Sequence, residues 1–251
     1  MTVCDLNADL GESFGTWSKG ADEDIIPLVT SANIACGIHA SDPCIMKHTV
    51  ELAIKHHVAI GAHPGYPDLV GFGRRSMALS PREIYAYVLY QIGALDAFCK
   101  AGNTSLHHVK PHGHLYNRSA QEYDCADAIA AAVADYDQNL ILFGLAGSNS
   151  IEAAHKYGLK TAQEFFADRS YTSSGTLVPR TEPGACIKDS KVALLRTIRA
   201  VQEGVVKSIS GEDIKVRADT VCLHGDSLSA LEFARTLRQG LIDAGITVRS
   251  I

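Results

Sequence analysis

Six short stretches of the chain carry an unusual density of acids, amides, imidazoles and cationic side chains. DLNADLGE supplies Asp5, Asn7, Asp9 and Glu12, and SANIACGIHASDP supplies Asn33, His39 and Asp42. IGAHPGYPDLVGFGRR brings His63, Arg74 and Arg75, and HHVKPHGHLYN brings Lys110, His112, His114 and Asn117. EFFADRSY adds Glu164, Asp168 and Arg169, followed by GTLVPR with Arg180, and CLHGD ends the series with His224 and Asp226. Carboxylates, imidazoles and a lysine around one site suit hydrolysis of an amide or similar acyl bond, where a base activates water and an acid protonates the leaving group. Asp9, Glu12 and the histidines are the candidates for base and acid. Lys110 and Arg169 could steady negative charge on a carbonyl or phosphoryl oxygen, and Arg74, Arg75 or Arg180 could clamp a carboxylate. His39, His63 and His112 with Asp9 also resemble a divalent-metal ligand set, although no compact spacing such as H-E-x-x-H is present. The chain has neither a G-x-x-x-x-G-K-[ST] loop nor a G-x-S-x-G elbow, and no Cys sits in an activating setting. The residues alone fix no single role.

These stretches gain meaning from the elements that carry them. Strands are read at 3–7, 32–35, 58–62, 106–110, 140–145, 161–166 and 220–223, with amphipathic stretches between them, the pattern of a parallel α/β fold. All but the fifth strand run directly into one of the polar clusters. In a β/α barrel the C-terminal strand ends converge on one mouth, where catalytic groups gather. Buried ionisable groups are costly unless paired or used, so their repeated placement at strand ends points to a site. Within the first strand, period-two alternation puts Asp5 and Asn7 on the same side.

Helices start near Ser80, Ser119, Ser148, Asp189 and Ser227. The one at Ser80 has Pro81 in its first turn, a capping box with Glu83, an apolar stripe of Ile84, Val88, Ile92, Leu95 and Phe98, and Gly102 as terminator. Gly204 and Gly245 end the last two. VVKSISGEDIKV, at 205–216, reads as a hairpin excursion before the last strand, and its exposed edges make it a candidate partner surface. One domain over 1–251 is expected, a β/α barrel left incomplete or distorted by having seven strands rather than eight.

Composition narrows the class. The 251 residues carry 23 Lys and Arg against 28 Asp and Glu, a formal net charge of −5, which argues against nucleic-acid binding. The 46% of hydrophobic residues are enough for a large core. No run of about 18 apolar residues is present to span a bilayer, and the acidic start lacks the pattern of a signal peptide, so a cytoplasmic protein is expected. Seven Cys without a C-x-x-C pair fit a reducing compartment and small buried residues.

Taken together and in this order, the six motifs resemble the lactam-utilisation family, from Asp5 to beyond Asp226. The resemblance implies a distorted seven-stranded β/α barrel of the glycoside hydrolase/deacetylase type. It also implies opening of 5-oxo-L-proline to L-glutamate, coupled to hydrolysis of ATP, with Mg²⁺, to ADP and phosphate, alongside the B and C subunits of a 5-oxoprolinase. On that basis Asp9 or Glu12 positions water, Lys110 and Arg169 steady charge, and His112 or His224 moves protons. Asp5, Asn7, Asn33, Arg74, Glu164, Asp168, Arg180 and Asp226 are expected to bind substrate, and His39, His63 and His112 are the candidate metal ligands. A homo-oligomer is compatible with this reading. A stand-alone metal-dependent deacetylase or amidohydrolase, or a non-catalytic binding subunit, are the alternatives. Two positions depart from the family pattern: Ser41 replaces Gly in H-A-G-D-P, and His114 replaces Ala in P-H-G-A-L-Y-N. Ser41 is costly if positive φ is required there, and His114 is expected to be a bystander.

Overall fold

Alternation along the strands decides what each face meets. In β1 (Val3–Leu10), Cys4, Leu6, Ala8 and Leu10 join the apolar core, whereas Asp5, Asn7 and Asp9 reach polar partners on neighbouring strands across the barrel interior. The computed structural model describes residues 2–223 and 230–251. After a short helix α1 (Asp22–Ile25), β2 (Ser31–Ala35) pairs with β1, then α2 (Pro43–Lys55) leads to β3 (Ala59–His63). The long α3 (Pro81–Ala101) precedes β4 (His108–Val109), and α4 (Gly113–Gln121) with α5 (Tyr123–Tyr136) precedes β5 (Ile141–Leu145). α6 (Asn149–Lys156), β6 (Lys160–Phe166) and α7 (Ser190–Glu203) follow. The antiparallel hairpin of β7 (Val205–Lys207) and β8 (Asp213–Lys215) stands where the sequence places an excursion. Parallel β9 (Thr220–Leu223) sets Thr220 opposite Glu164 of β6 on one side and Asp5 of β1 on the other, closing a seven-stranded ring. The expected distorted β/α barrel is therefore the observed fold.

Local chemistry explains most boundaries. The side chain of Ser80 accepts from Glu83 N while the Glu83 carboxylate accepts from Ser80 N, so the capping box at α3 is present in full. Asp189 caps α7, and Gly204 closes it in the left-handed region at φ 69°. α8 (Ala230–Asp243) is followed by Gly245 at φ 78°. The start of this last helix near Ser227 lies outside the described residues, as do His224 and Asp226.

Two expectations change. The helix placed near Ser119 is two helices, with Ser119 inside α4 and extended Glu122 between α4 and α5. α4 has no side-chain cap and starts at Gly113, whose φ is 56°, so the usual polar starting signal is absent. An added strand, β10 (Thr247–Val248), pairs in parallel with the beginning of β1 at Val3 and Cys4. Two residues are too short to show a strand period in sequence.

Candidate active site

Three polar tiers rise through the barrel interior. In the lowest, the carboxylate of Asp5 accepts from Thr30 Oγ1 at 2.6 Å and Ser31 Oγ at 2.7 Å, and also from the Thr220 hydroxyl. This buried carboxyl is raised by desolvation, with the three hydroxyls working in the opposite direction. The middle tier joins Asn7, Asn33, His108 and Glu164. Asn7 Nδ2 donates to Glu164 Oε1 at 3.0 Å, and Asn33 Nδ2 donates to Asn7 Oδ1 at 2.7 Å. His108 Nε2 lies 2.8 Å from Asn33 Oδ1, and its ring stacks on Phe143 at 4.1 Å. Gly61 on β3 makes this possible, since a Cβ there would come within 2.1 Å of the His108 ring.

The upper tier faces the mouth. Lys110 Nζ contacts Asp9 Oδ1 at 3.0 Å, Glu164 Oε1 at 2.8 Å, Asn7 Oδ1 at 3.1 Å and Cys222 Sγ at 3.1 Å. Burial opposes its charge, but the carboxylates of Asp9 and Glu164 outweigh that cost and hold the ammonium well above its ordinary pKa. Burial also raises the Cys222 thiol, so it stays protonated beside the cation. Asp9 accepts from Asn33 at 2.8 Å, and its other oxygen lies 3.4 Å from His63 Nε2.

Beside Asp9, the three imidazoles of His39, His63 and His112 come together with Glu12. His39 stacks on His112 with 3.8 Å between centroids, and His63 meets His112 edge to face at 4.9 Å. Glu12 Oε2 is 2.6 Å from Lys19 Nζ, which sits over the Phe72 ring. Burial holds His39 and His112 well below the usual imidazole range and raises the Glu12 carboxyl, against the pull of Lys19. Glycines make room for the stack: a Cβ on Gly65 would lie 2.4 Å from His39 Nδ1. Gly73 has φ 62°, and a Cβ there would be 3.0 Å from both imidazole side chains.

A cavity of about 570 Å³ opens over this tier, lined by buried His63, Lys110, His112, Tyr116, Phe166 and Arg169, by half-buried Asp9 and Leu177, and by Arg74 and Arg180 at its exposed side. Arg74 also lies over Phe72, 4.9 Å from the centroid. Buried Arg169 donates to the carbonyls of Val178 at 2.5 Å and Ala185 at 3.4 Å, so much of its guanidinium shapes the 169–186 loop. Arg75 is turned onto Asp68, which it holds down to about 2. Asp42 caps α2 by accepting from Cys44 N at 2.8 Å and Ile45 N at 3.1 Å. Asp5, Asn7, Asn33, Glu164 and Asp168 are not on the cavity lining, whereas His114 is. Sequence reasoning left out His108, Tyr116, Lys19 and Cys222. The alternation that placed Asp5 and Asn7 also puts Cys222 and Thr220 on one face, and His108 with Lys110, so that signal was available.

The chain matches the LamB/YcsF family over residues 4–251. It belongs to that family. It is 55% identical over 251 residues to the A-type subunit of 5-oxoprolinase from Bacillus subtilis (strain 168), covering 100% of this chain and 98% of that protein. It is 53% identical over 249 residues to the protein of the same name from Bacillus cereus (strain ATCC 10987 / NRS 248), covering 99% and 98%. The lactam utilization protein of Thermus thermophilus superimposes with a TM-score of 0.95 at 51% identity over 100% of both chains. A protein from Enterococcus faecalis V583 whose name refers to cellobiose-phosphate cleavage shares the fold at a TM-score of 0.60 and 16% identity, covering 99% and 97%. Among the described residues of this LamB/YcsF chain, no helix is long and apolar enough to cross a membrane.

Proposed function

We propose that the chain is a cytoplasmic component of an ATP-dependent lactam hydrolase that opens 5-oxo-L-proline to L-glutamate while ATP, with Mg²⁺, is hydrolysed to ADP and phosphate. The observation that carries this reading is one cavity with Lys110 and Asp9 at its floor and Arg74 and Arg180 at its rim. A small cyclic amide bearing a carboxylate offers its amide to the first pair and its carboxylate to the second. The relatives named as A-type subunits of 5-oxoprolinase support the same substrate and a role beside other subunits, which in this reading are of B and C type.

An unstrained lactam is a poor electrophile, and phosphoryl transfer from ATP to its oxygen removes that obstacle. Water then adds to the ring carbon, the C–N bond breaks as nitrogen takes a proton, and a second water splits the resulting acyl phosphate into glutamate and phosphate. Asp9 accepts the proton of the first water and returns it to the departing nitrogen. Lys110, fixed by Asp9 and Glu164, steadies the charge that develops on oxygen, and Arg169 lends a second cation beside the loop it shapes. The test is glutamate release from 5-oxo-L-proline, with and without Mg-ATP and with and without B- and C-type partners. ATP-dependent glutamate only in the complete mixture is expected. Deacetylation or ATP-independent amide cleavage by the chain alone would replace this reading with a stand-alone hydrolase.

A further inference from the structure

We infer that Glu12, His39, His63 and His112 form a binding site for one divalent transition-metal cation of the zinc class. One donor atom from each of the four residues falls within 4.8 Å of all the others. The hydrogen bonds around the ring nitrogens give the grouping its meaning. His63 Nδ1 lies 2.7 Å from the Lys110 carbonyl oxygen, and His112 Nε2 lies 2.9 Å from the Phe72 carbonyl oxygen. A carbonyl only accepts, so both of those nitrogens carry hydrogen. In neutral imidazoles the opposite nitrogens, His63 Nε2 and His112 Nδ1, then carry lone pairs, yet they face each other at 3.0 Å. Two buried lone pairs at that distance repel unless an electron-poor centre lies between or beside them.

His39 supplies the second, independent observation. Its ring is fully buried, and neither nitrogen has a hydrogen-bond partner among the described residues. Such a group costs free energy unless something satisfies it. Glu12 completes the set with Oε1 3.9 Å from His112 Nδ1, while Oε2 is occupied by Lys19. Tetrahedral bonds of about 2.0–2.1 Å place donor atoms roughly 3.3–3.4 Å apart, between these two separations. Three of the four ligands also have outer partners, the carbonyls of Lys110 and Phe72 and the ammonium of Lys19, as metal ligands commonly do. Three imidazoles and one carboxylate favour zinc or a neighbouring first-row ion over magnesium or calcium, which prefer oxygen donors. The site is thus separate from any Mg²⁺ carried by ATP, and it stands whether or not the lactam reading is correct.

The test is direct binding to the full chain after chelator treatment, followed by calorimetric titration with Zn²⁺ and with Mg²⁺, metal analysis, and the visible spectrum of the Co²⁺-loaded protein. One zinc per chain, no magnesium saturation, and the intense d–d bands of tetrahedral cobalt are expected. His39→Ala and His63→Ala should each weaken zinc binding by at least about 100-fold, whereas His155→Ala, on the distant surface helix α6, should not. Gly65→Ala, which sets a methyl group against the His39 ring, should weaken binding while leaving all four ligands in place. Circular dichroism establishes that the variants compared are folded. Absence of zinc binding by the folded wild-type chain, or equal affinity in wild type, His39→Ala and His63→Ala, would overturn the inference.

Discussion

At the residue scale, Lys110 is the group on which the floor of the cavity depends. One ammonium holds two carboxylates, Asp9 and Glu164, and removing it leaves both in the barrel interior without their cation. Loss of one partner of a buried ion pair costs about 3–5 kcal/mol, so Lys110→Ala should lower the urea midpoint sharply. Adding Glu164→Gln removes one of the stranded charges, and the double variant should recover part of that stability. It should recover none of the proposed lactam-opening rate, because the cation proposed to face the substrate is still missing. Recovery of the rate together with stability would reduce Lys110 to a structural role. The sequence displayed most of this floor, since Asp9 and Lys110 stand at strand ends. It did not show that Glu164 and Asn7 lie beneath them. Pairings of Asn7 with residue 164 and of Lys110 with residue 222 join strands far apart in the chain, and no local period encodes them.

At the scale of the elements, two neighbouring residues show how a polar cluster divides between scaffold and site. Asp42 reads as one more acid near the mouth, but its carboxylate caps α2 and also accepts from Gly15 N at 2.8 Å. Asp42→Ala should therefore cost about 1–2 kcal/mol, measured by denaturant unfolding, with little change in turnover per folded molecule. The preceding Ser41 has φ 71°, in the left-handed region where the related pattern has glycine. Ser41→Gly should gain roughly 1 kcal/mol by relieving that conformation, and a loss of stability would mean that the buried side chain contributes more than its strain costs. This position was legible as a departure from a motif, whereas its φ required the structure. The same limit applies to α4 and α5, whose separation rests on Glu122 being extended, and to β10, which exists only because the chain end returns to Val3 and Cys4.

At the scale of the whole molecule, a polar barrel interior inside an apolar layer has a consequence for pH. His108 is buried at the middle tier, where desolvation first and the positive neighbours next hold its pKa well below the ordinary 6.5. The folded protein keeps it neutral while the unfolded chain binds a proton below 6.5, so stability falls as pH falls through that value. This one residue contributes a slope of about 1.4 kcal/mol per pH unit below the unfolded pKa. Urea unfolding between neutral and mildly acidic pH should show that slope reduced in His108→Gln, and an unchanged slope would mean that His108 takes up its proton without unfolding. The most direct measurement of the central claim uses the complex assembled from this chain and the proposed B- and C-type partners, following glutamate and ADP release from 5-oxo-L-proline and ATP. Asp9→Asn preserves the shape of the side chain and removes the proposed base. At equal complex assembly it should lower glutamate release by about 100-fold or more. Glutamate release at the wild-type rate per assembled complex would contradict the account and make this chain a binding subunit whose partners perform the chemistry.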